Sequence, residues 1–187
     1  MIKQTLTDED FERAATALGV RVVEIKTVSE VEAPRGGFLP SGLPVILFER
    51  HQFSQRTGGR FDASHPDVSN KKPGGYKGGQ SEHLRLDEAA QLDRTAALES
   101  ASWGKFQIMG FNHISAGHPT LQGFVNAMFS SEGEQLDAFV NIIKSFGLAD
   151  EMREHRWADF ARRYNGSGYA INKYDEKLAA AYRKWAA

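Results

Sequence analysis

Residues 27–53 read TVSEVEAPRGGFLPSGLPVILFERHQF, and the rest of the chain arranges itself around this stretch. Its first part closes a helix. Val20, Val23, Thr27 and Val31 keep the three-to-four spacing of a buried stripe, so a helix is expected over 20–33. Pro34 and the pair Gly36-Gly37 stop it, because proline has no N–H to donate and glycine unwinds readily. Phe38-Leu39 and Pro44 to Arg50 then read as paired strands around a Pro40-Ser41-Gly42-Leu43 turn. In the second strand Ile46 and Phe48 share one face, and Val45, Leu47 and Glu49 share the other.

Two carboxylates mark the stretch. Glu32 lies in the last helical turn, where the negative end of the helix dipole disfavours ionisation. An apolar surrounding would push its pKa upward in the same direction, as a general acid at neutral pH requires. Glu49 continues an apolar strand face, which is an unusual place for a charge. A solvated helix-end glutamate and an ion pair of Glu49 with Arg50 or Arg56 are the ordinary alternatives. An acid at a helix end facing a carboxylate on a small hairpin is a layout that can cleave a glycosidic bond.

Upstream, a helix over 7–18 is expected, with Thr7 and Asp10 as a capping-box variant, Leu6 and Phe11 as its staple, and Gly19 as its end. Downstream, residues 54–81 carry glycine pairs at 58-59, 74-75 and 78-79. They also carry Arg56, Arg60, Lys71, Lys72 and Lys77 against Asp62 and Asp67. This cationic, glycine-rich insertion suits an anionic polymer or a solvated loop. Helices are expected over 82–98, 119–129, 131–146, 148–155 and 157–163. Ser131 and Glu134 form a capping box, and a last helix over 172–186 is capped by Asn172. Ser102 caps a short helix in the run Ser102-Trp103-Gly104-Lys105-Phe106-Gln107-Ile108-Met109-Gly110. Gln107 there needs partners, either a sugar or a backbone group. Tyr164-Asn165-Gly166 reads as a turn.

The composition narrows the function classes. The chain has 187 residues, enough for one domain with a real core, and no linker or repeat divides 1–187. A net charge of -1 offers no global field for nucleic acid. The absence of cysteine excludes a disulfide framework and thiolate chemistry. The six histidines lie in no H-E-x-x-H pattern, so no metal and no cofactor are expected, and a zinc amidase or peptidase fits poorly. No run reaches membrane-spanning length, and no signal-peptide core opens the chain. The fold class is α+β and mostly helical, with one small β-hairpin after the second helix. A monomer is expected.

Three stretches together resemble the lysozyme-like superfamily, and more closely the N-acetylmuramidase domain of phage endolysins. Val28-Ser29-Glu30-Val31-Glu32 with Gly36-Gly37-Phe38 resembles the catalytic-glutamate helix end. Leu47-Phe48-Glu49-Arg50-His51-Gln52-Phe53 resembles the hairpin strand. Ser102 to Gly110 is similar to the Gly-x-x-Gln-Ile/Met element of goose-type lysozymes and lytic transglycosylases, and Tyr164-Asn165 resembles the Tyr-Asn element closing the cleft.

The resemblance implies a lysozyme-like fold cutting the β-1,4 bond between N-acetylmuramic acid and N-acetylglucosamine. Glu32 would be the acid and Glu49 the second carboxylate, with Gln107, Tyr164, Ser102 and Asn165 binding the glycan strand. It also implies synthesis in a host cytoplasm and action on the wall after release. Two features depart from the pattern: Ala33 stands where a serine commonly follows the acid, and Glu99-Ser100 imitates the transglycosylase Glu-Ser pair. Glu99 lacks the hairpin and long loop that should separate the acid from the Ser102–Gly110 run, so Glu32 is preferred. A lytic transglycosylase leaving 1,6-anhydro ends and a non-catalytic glycan-binding or phage structural domain are the alternatives.

Overall fold

The computed structural model describes residues 3–187, with residues 167 and 168 in backbone only. It is mostly helical with one small sheet. Helix α1 spans Asp8–Leu18, and both halves of the Thr7–Asp10 capping box are made. Gly19 ends it in the left-handed conformation, φ 63°. Helix α2 spans Val22–Glu32, starting two residues later than the hydrophobic stripe suggested. The shift follows from Glu24, whose carboxylate folds back on the Arg21 N–H at 2.7 Å and defines the helix start. Ala33 and Pro34 close α2 as expected, so Glu32 is its last residue. Ile25 and Val28 point into the core.

The expected hairpin forms as a single bridge between Phe38 and Pro44, with Leu39 N–H donating to the Leu43 carbonyl at 2.8 Å. Strand β1 is shorter than expected, Ile46–Phe48. Arg50–Arg56 forms helix α3 where the sequence suggested continuing strand, with Glu49 at its N-cap position.

The larger correction concerns residues 102–110. They form no helix capped by Ser102. Strand β2, Ala101–Trp103, pairs antiparallel with β1, and β3, Ile108–Met109, pairs antiparallel with β2. The turn between them uses two left-handed residues, Gly104 (φ 69°) and Gln107 (φ 49°), which a right-handed helix excludes. A Cβ at Gly104 would lie 2.6 Å from the Gln135 side chain, so glycine is needed for space as well. The register aligns Leu47, Ser102 and Met109 in one row across the sheet. Ile46 and Phe48 face the core, as the alternation required.

The expected helix over 82–98 is two helices, α4 Gln80–Leu92 and α5 Arg94–Glu99. Asp93 breaks the run because its side chain caps α5 through the Ala96 N–H at 3.0 Å. Helices α6, Leu121–Ser130, and α7, Glu132–Ser145, follow the expected pattern, and Ser131 caps α7 through the Glu134 N–H. The central stripe Leu136, Phe139 and Ile143 of α7 is fully buried.

Helices α8, Ala149–Arg153, and α9, Trp157–Asn165, come next; α9 runs through Tyr164 and Asn165 in place of the expected turn. Helix α10 spans Tyr174–Trp185 and packs on α2 and α9. Asn172 does not cap it. Lys173 stands at the N-cap in a left-handed conformation without a side-chain bond. Ile171, just before α10, and Trp185, its last residue, are exposed. Among the described residues no helix is long and apolar enough to cross a membrane.

Candidate functional site

The end of α2 meets the β2–β3 turn, the middle and end of α7, the end of α9 and the start of α10. Together they enclose an open cavity of about 400 Å³. Phe106, Ile142 and Phe146 make much of its wall apolar, and Gln107, Asn112 and Asn165 supply polar groups. Glu32 is its carboxylate. Burial pushes the Glu32 carboxyl up from 4.5 to about 7, against the opposing pull of an Asn165 hydrogen bond and the Lys177 charge. The acid that position in a helix foreshadowed is therefore half-protonated near neutral pH.

Asn165 serves the acid directly. Its Nδ2 donates to Glu32 Oε1 at 2.9 Å, which favours the charged form. Replacing Asn165 with alanine is expected to raise the Glu32 pKa further and move the alkaline limb of the pH–rate profile up by roughly half a unit to one unit. A limb that stays in place or moves down would refute that role.

Tyr164 lines the cavity while its ring packs between Phe139 and Phe160. Burial, then the nearby Glu32 and Tyr174, holds its phenol well above the usual tyrosine range, so it remains a neutral donor. Gln107 also reaches the cavity, but its amide is spoken for. Nε2 donates to the Gly104 carbonyl at 2.8 Å, and Oε1 accepts from Ser102 Oγ at 2.8 Å. Of the two partners left open for Gln107, the backbone is the one observed, and Ser102 braces that arrangement without lining the cavity.

Glu49 stands elsewhere on the same sheet face. It follows Leu47 by two residues, and Leu47 lies in the row that reaches Met109 on the cavity wall. Strands lie ~4.8 Å apart, so two spacings, or ~10 Å of sheet, separate β1 from β3. Glu49 does not pair with Arg50 or Arg56. Its Oε2 accepts from the Tyr76 hydroxyl at 2.8 Å and lies 3.2 Å from His51 Nδ1. Among the described residues no donor reaches Oε1.

Glu99 lies at the end of α5. There it pairs with Arg56 at 3.2 Å, outside the cavity that holds Glu32. His113 and His118 make a structural contact, the ring Nδ1 of the first lying 2.9 Å from the carbonyl of the second.

Several residues escaped sequence reasoning: Asn112, Phe146 and Tyr174 in the cavity, Tyr76 on Glu49, and the buried pair Glu82–Arg85 behind the site. Phe146 closes α7 and Tyr174 opens α10 with no local mark of a site, and nothing local ties residue 76 to residue 49.

A carboxyl with a raised pKa at a helix end, beside a small sheet in a mostly helical domain, has the surroundings that a lysozyme-type glycoside hydrolase gives its acid. The N-acetylmuramidase family (Muramidase) matches residues 21–186, and the chain belongs to that family. Its substrate is accordingly peptidoglycan. Among solved structures, the crystal structure of Burkholderia AP3 phage endolysin is similar at 43% identity and a TM-score of 0.93. The match covers 100% of this chain and 73% of that one. No match is found among curated proteins.

Proposed function

We propose that this muramidase hydrolyses the β-1,4 bond between N-acetylmuramic acid and N-acetylglucosamine, with Glu32 as the general acid. The observation that carries this is the Glu32 carboxyl raised to about 7 inside the cavity. Protonated Glu32 gives its proton to the leaving glycosidic oxygen as the C–O bond breaks. Positive charge then spreads over the ring and its oxygen. Glu49, on the same sheet face with Oε1 unengaged, orients the attacking water and balances that charge. Tyr164 and Asn165 border the sugar next to the acid, and Gln107, held by Ser102, shapes the opposite wall. The likeness to a phage endolysin supports a role in lysing the wall of an infected bacterium.

Digestion of purified sacculi in water enriched in oxygen-18 tests the reaction. Hydrolysis is expected to leave reducing muramic acid ends carrying the heavy oxygen. Unlabelled 1,6-anhydro ends would instead identify a lytic transglycosylase, which needs no second carboxylate. Binding to sacculi without any cleavage would identify a glycan-binding domain.

A further inference from the structure

Tyr76 stands on a segment bracketed by glycines. Gly74, Gly75, Gly78 and Gly79 all have positive φ, at 102°, 78°, 76° and 56°. Its residue surface is 47% exposed, yet its hydroxyl turns inward to Glu49. The two carriers are laced together on both sides of that contact. After Glu49, Arg50 Nε donates to the Lys72 carbonyl at 2.9 Å and Nη2 to the Pro73 carbonyl at 3.3 Å. Before Glu49, the Phe48 N–H donates to Glu82 Oε2 at 3.1 Å. The other Glu82 oxygen accepts from the N–H groups of Lys77 and Gly78, at 2.6 and 3.0 Å. Arg85 completes the link, donating to Glu82 and to the Phe48 carbonyl. The neighbours of Glu49 in sequence are thus bonded to the neighbours of Tyr76. A loop held only for packing would not need its phenol delivered onto a carboxylate.

We propose that Tyr76 is a positioning residue for glycan cleavage: its hydroxyl fixes Glu49 through Oε2, so that Oε1 is presented to the attacking water. The inference rests on the reading of Glu49 as the second carboxylate. A neutral O–H donor makes a short, directional, charge-assisted bond to a carboxylate, which holds the acceptor in one orientation. The donor keeps its proton at any working pH. Burial of its hydroxyl end, then the bond to Glu49 and the Glu49 charge, push the phenol up to about 12.

Other charged groups face the pair. His51 of α3 lies 3.2 Å from the same oxygen. Arg50 is turned to the loop carbonyls, and Glu82 and Arg85 of α4 lie buried behind Phe48. From the end of α5 come the Ser100 carbonyl, which takes the Glu49 N–H, and Glu99, which is held by Arg56. None of these contacts changes when only the hydroxyl is removed, so a difference between wild type and variant belongs to the Tyr76–Glu49 bond.

The test compares pH profiles of the initial rate on limiting purified sacculi for wild type, Tyr76→Phe and Glu49→Gln, with melting temperatures measured alongside. Tyr76→Phe is expected to lower the plateau by roughly tenfold with an unchanged melting temperature, and to place that loss on kcat rather than KM when sacculi are raised to saturation. The alkaline limb, set by Glu32, is expected to stay in place. A wild-type plateau in Tyr76→Phe, or a loss confined to KM, beside an inactive Glu49→Gln overturns the inference alone, whatever the melting temperature does. Wild-type rates in Glu49→Gln overturn the reading of Glu49, and the inference with it.

Discussion

Glu32→Gln is expected to slow wall lysis by ~10²–10⁴-fold, the usual range for loss of a general acid, while making the fold more stable at alkaline pH. The two effects share one cause. The folded carboxyl titrates near 7, against an ordinary value of 4.5. Between those values the folded state keeps a proton that the unfolded chain has lost. Stability therefore falls as pH rises through this window, and the full cost is present above about 7. Each pKa unit corresponds to about 1.4 kcal/mol, so the charged form costs up to ~3 kcal/mol at pH 8. Glutamine carries no charge, and it can still accept the Asn165 hydrogen bond through its amide oxygen. Urea unfolding at pH 8 and pH 4 checks the sign: a gain at pH 8 should vanish at pH 4. Full lytic activity in the variant would remove Glu32 from catalysis. An inactive variant with the same loss of stability at both pH values would attribute the lost activity to misfolding.

Glu82→Leu should be the most damaging single change outside the cavity. Glu82 is fully buried and accepts four hydrogen bonds, from Phe48, Lys77 and Gly78 N–H groups and from Arg85. Burial opposes its ionisation, but those backbone donors and the Arg85 charge together hold its carboxyl below the usual range. Leucine fills a similar volume and leaves the Arg85 guanidinium, itself nearly buried, without its counter-charge. Removing one member of a buried pair typically costs about 3–5 kcal/mol. For a domain of this size that corresponds to a fall in melting temperature of roughly 10 °C. The loop carrying Tyr76 loses its anchor at the same time, so activity should fall even at temperatures where the variant is folded. A melting temperature within a degree or two of wild type would mean that the Glu82 network is not what holds strand and loop together. Glu82→Gln, which retains one acceptor oxygen, should fall between the two.

What was legible in the chain followed physical range. The capping box of α1, the Ser131 cap of α7, which forms without the reciprocal Glu134 bond, and the Gly19 stop act within a few residues, so Thr7, Gly19 and Ser131 mark those helices where they occur. The stop at Pro34 is equally local and places Glu32 at a helix end. The run 102–110 was misread because its aromatic and aliphatic spacing suits either a short helix or two short strands. Only the left-handed Gly104 and Gln107, and the pairing of Ala101–Trp103 with a strand some 55 residues earlier, separate the two. Asn172 looked like a cap and is none, since α10 starts where it can pack on α2 and α9.

Taken alone, then, the residue order determined the helical frame, the break after α2 that leaves Glu32 at a helix end, and the alternation that sets Leu47 and Glu49 apart from the buried Ile46 and Phe48. Each depends on dihedral preferences and periodicity within one element. Tertiary structure decided what those carboxylates are. Glu32 becomes an acid near neutrality because the cavity walls, drawn from β3, α7, α9 and α10, remove water from it, and Asn165 reaches it across 133 positions of sequence. Glu49 meets Tyr76 only because Arg50 and the buried Glu82–Arg85 pair fold a glycine-rich loop back onto the strand. Desolvation and hydrogen bonding depend on what surrounds a group in space, and those surroundings come from distant parts of the chain.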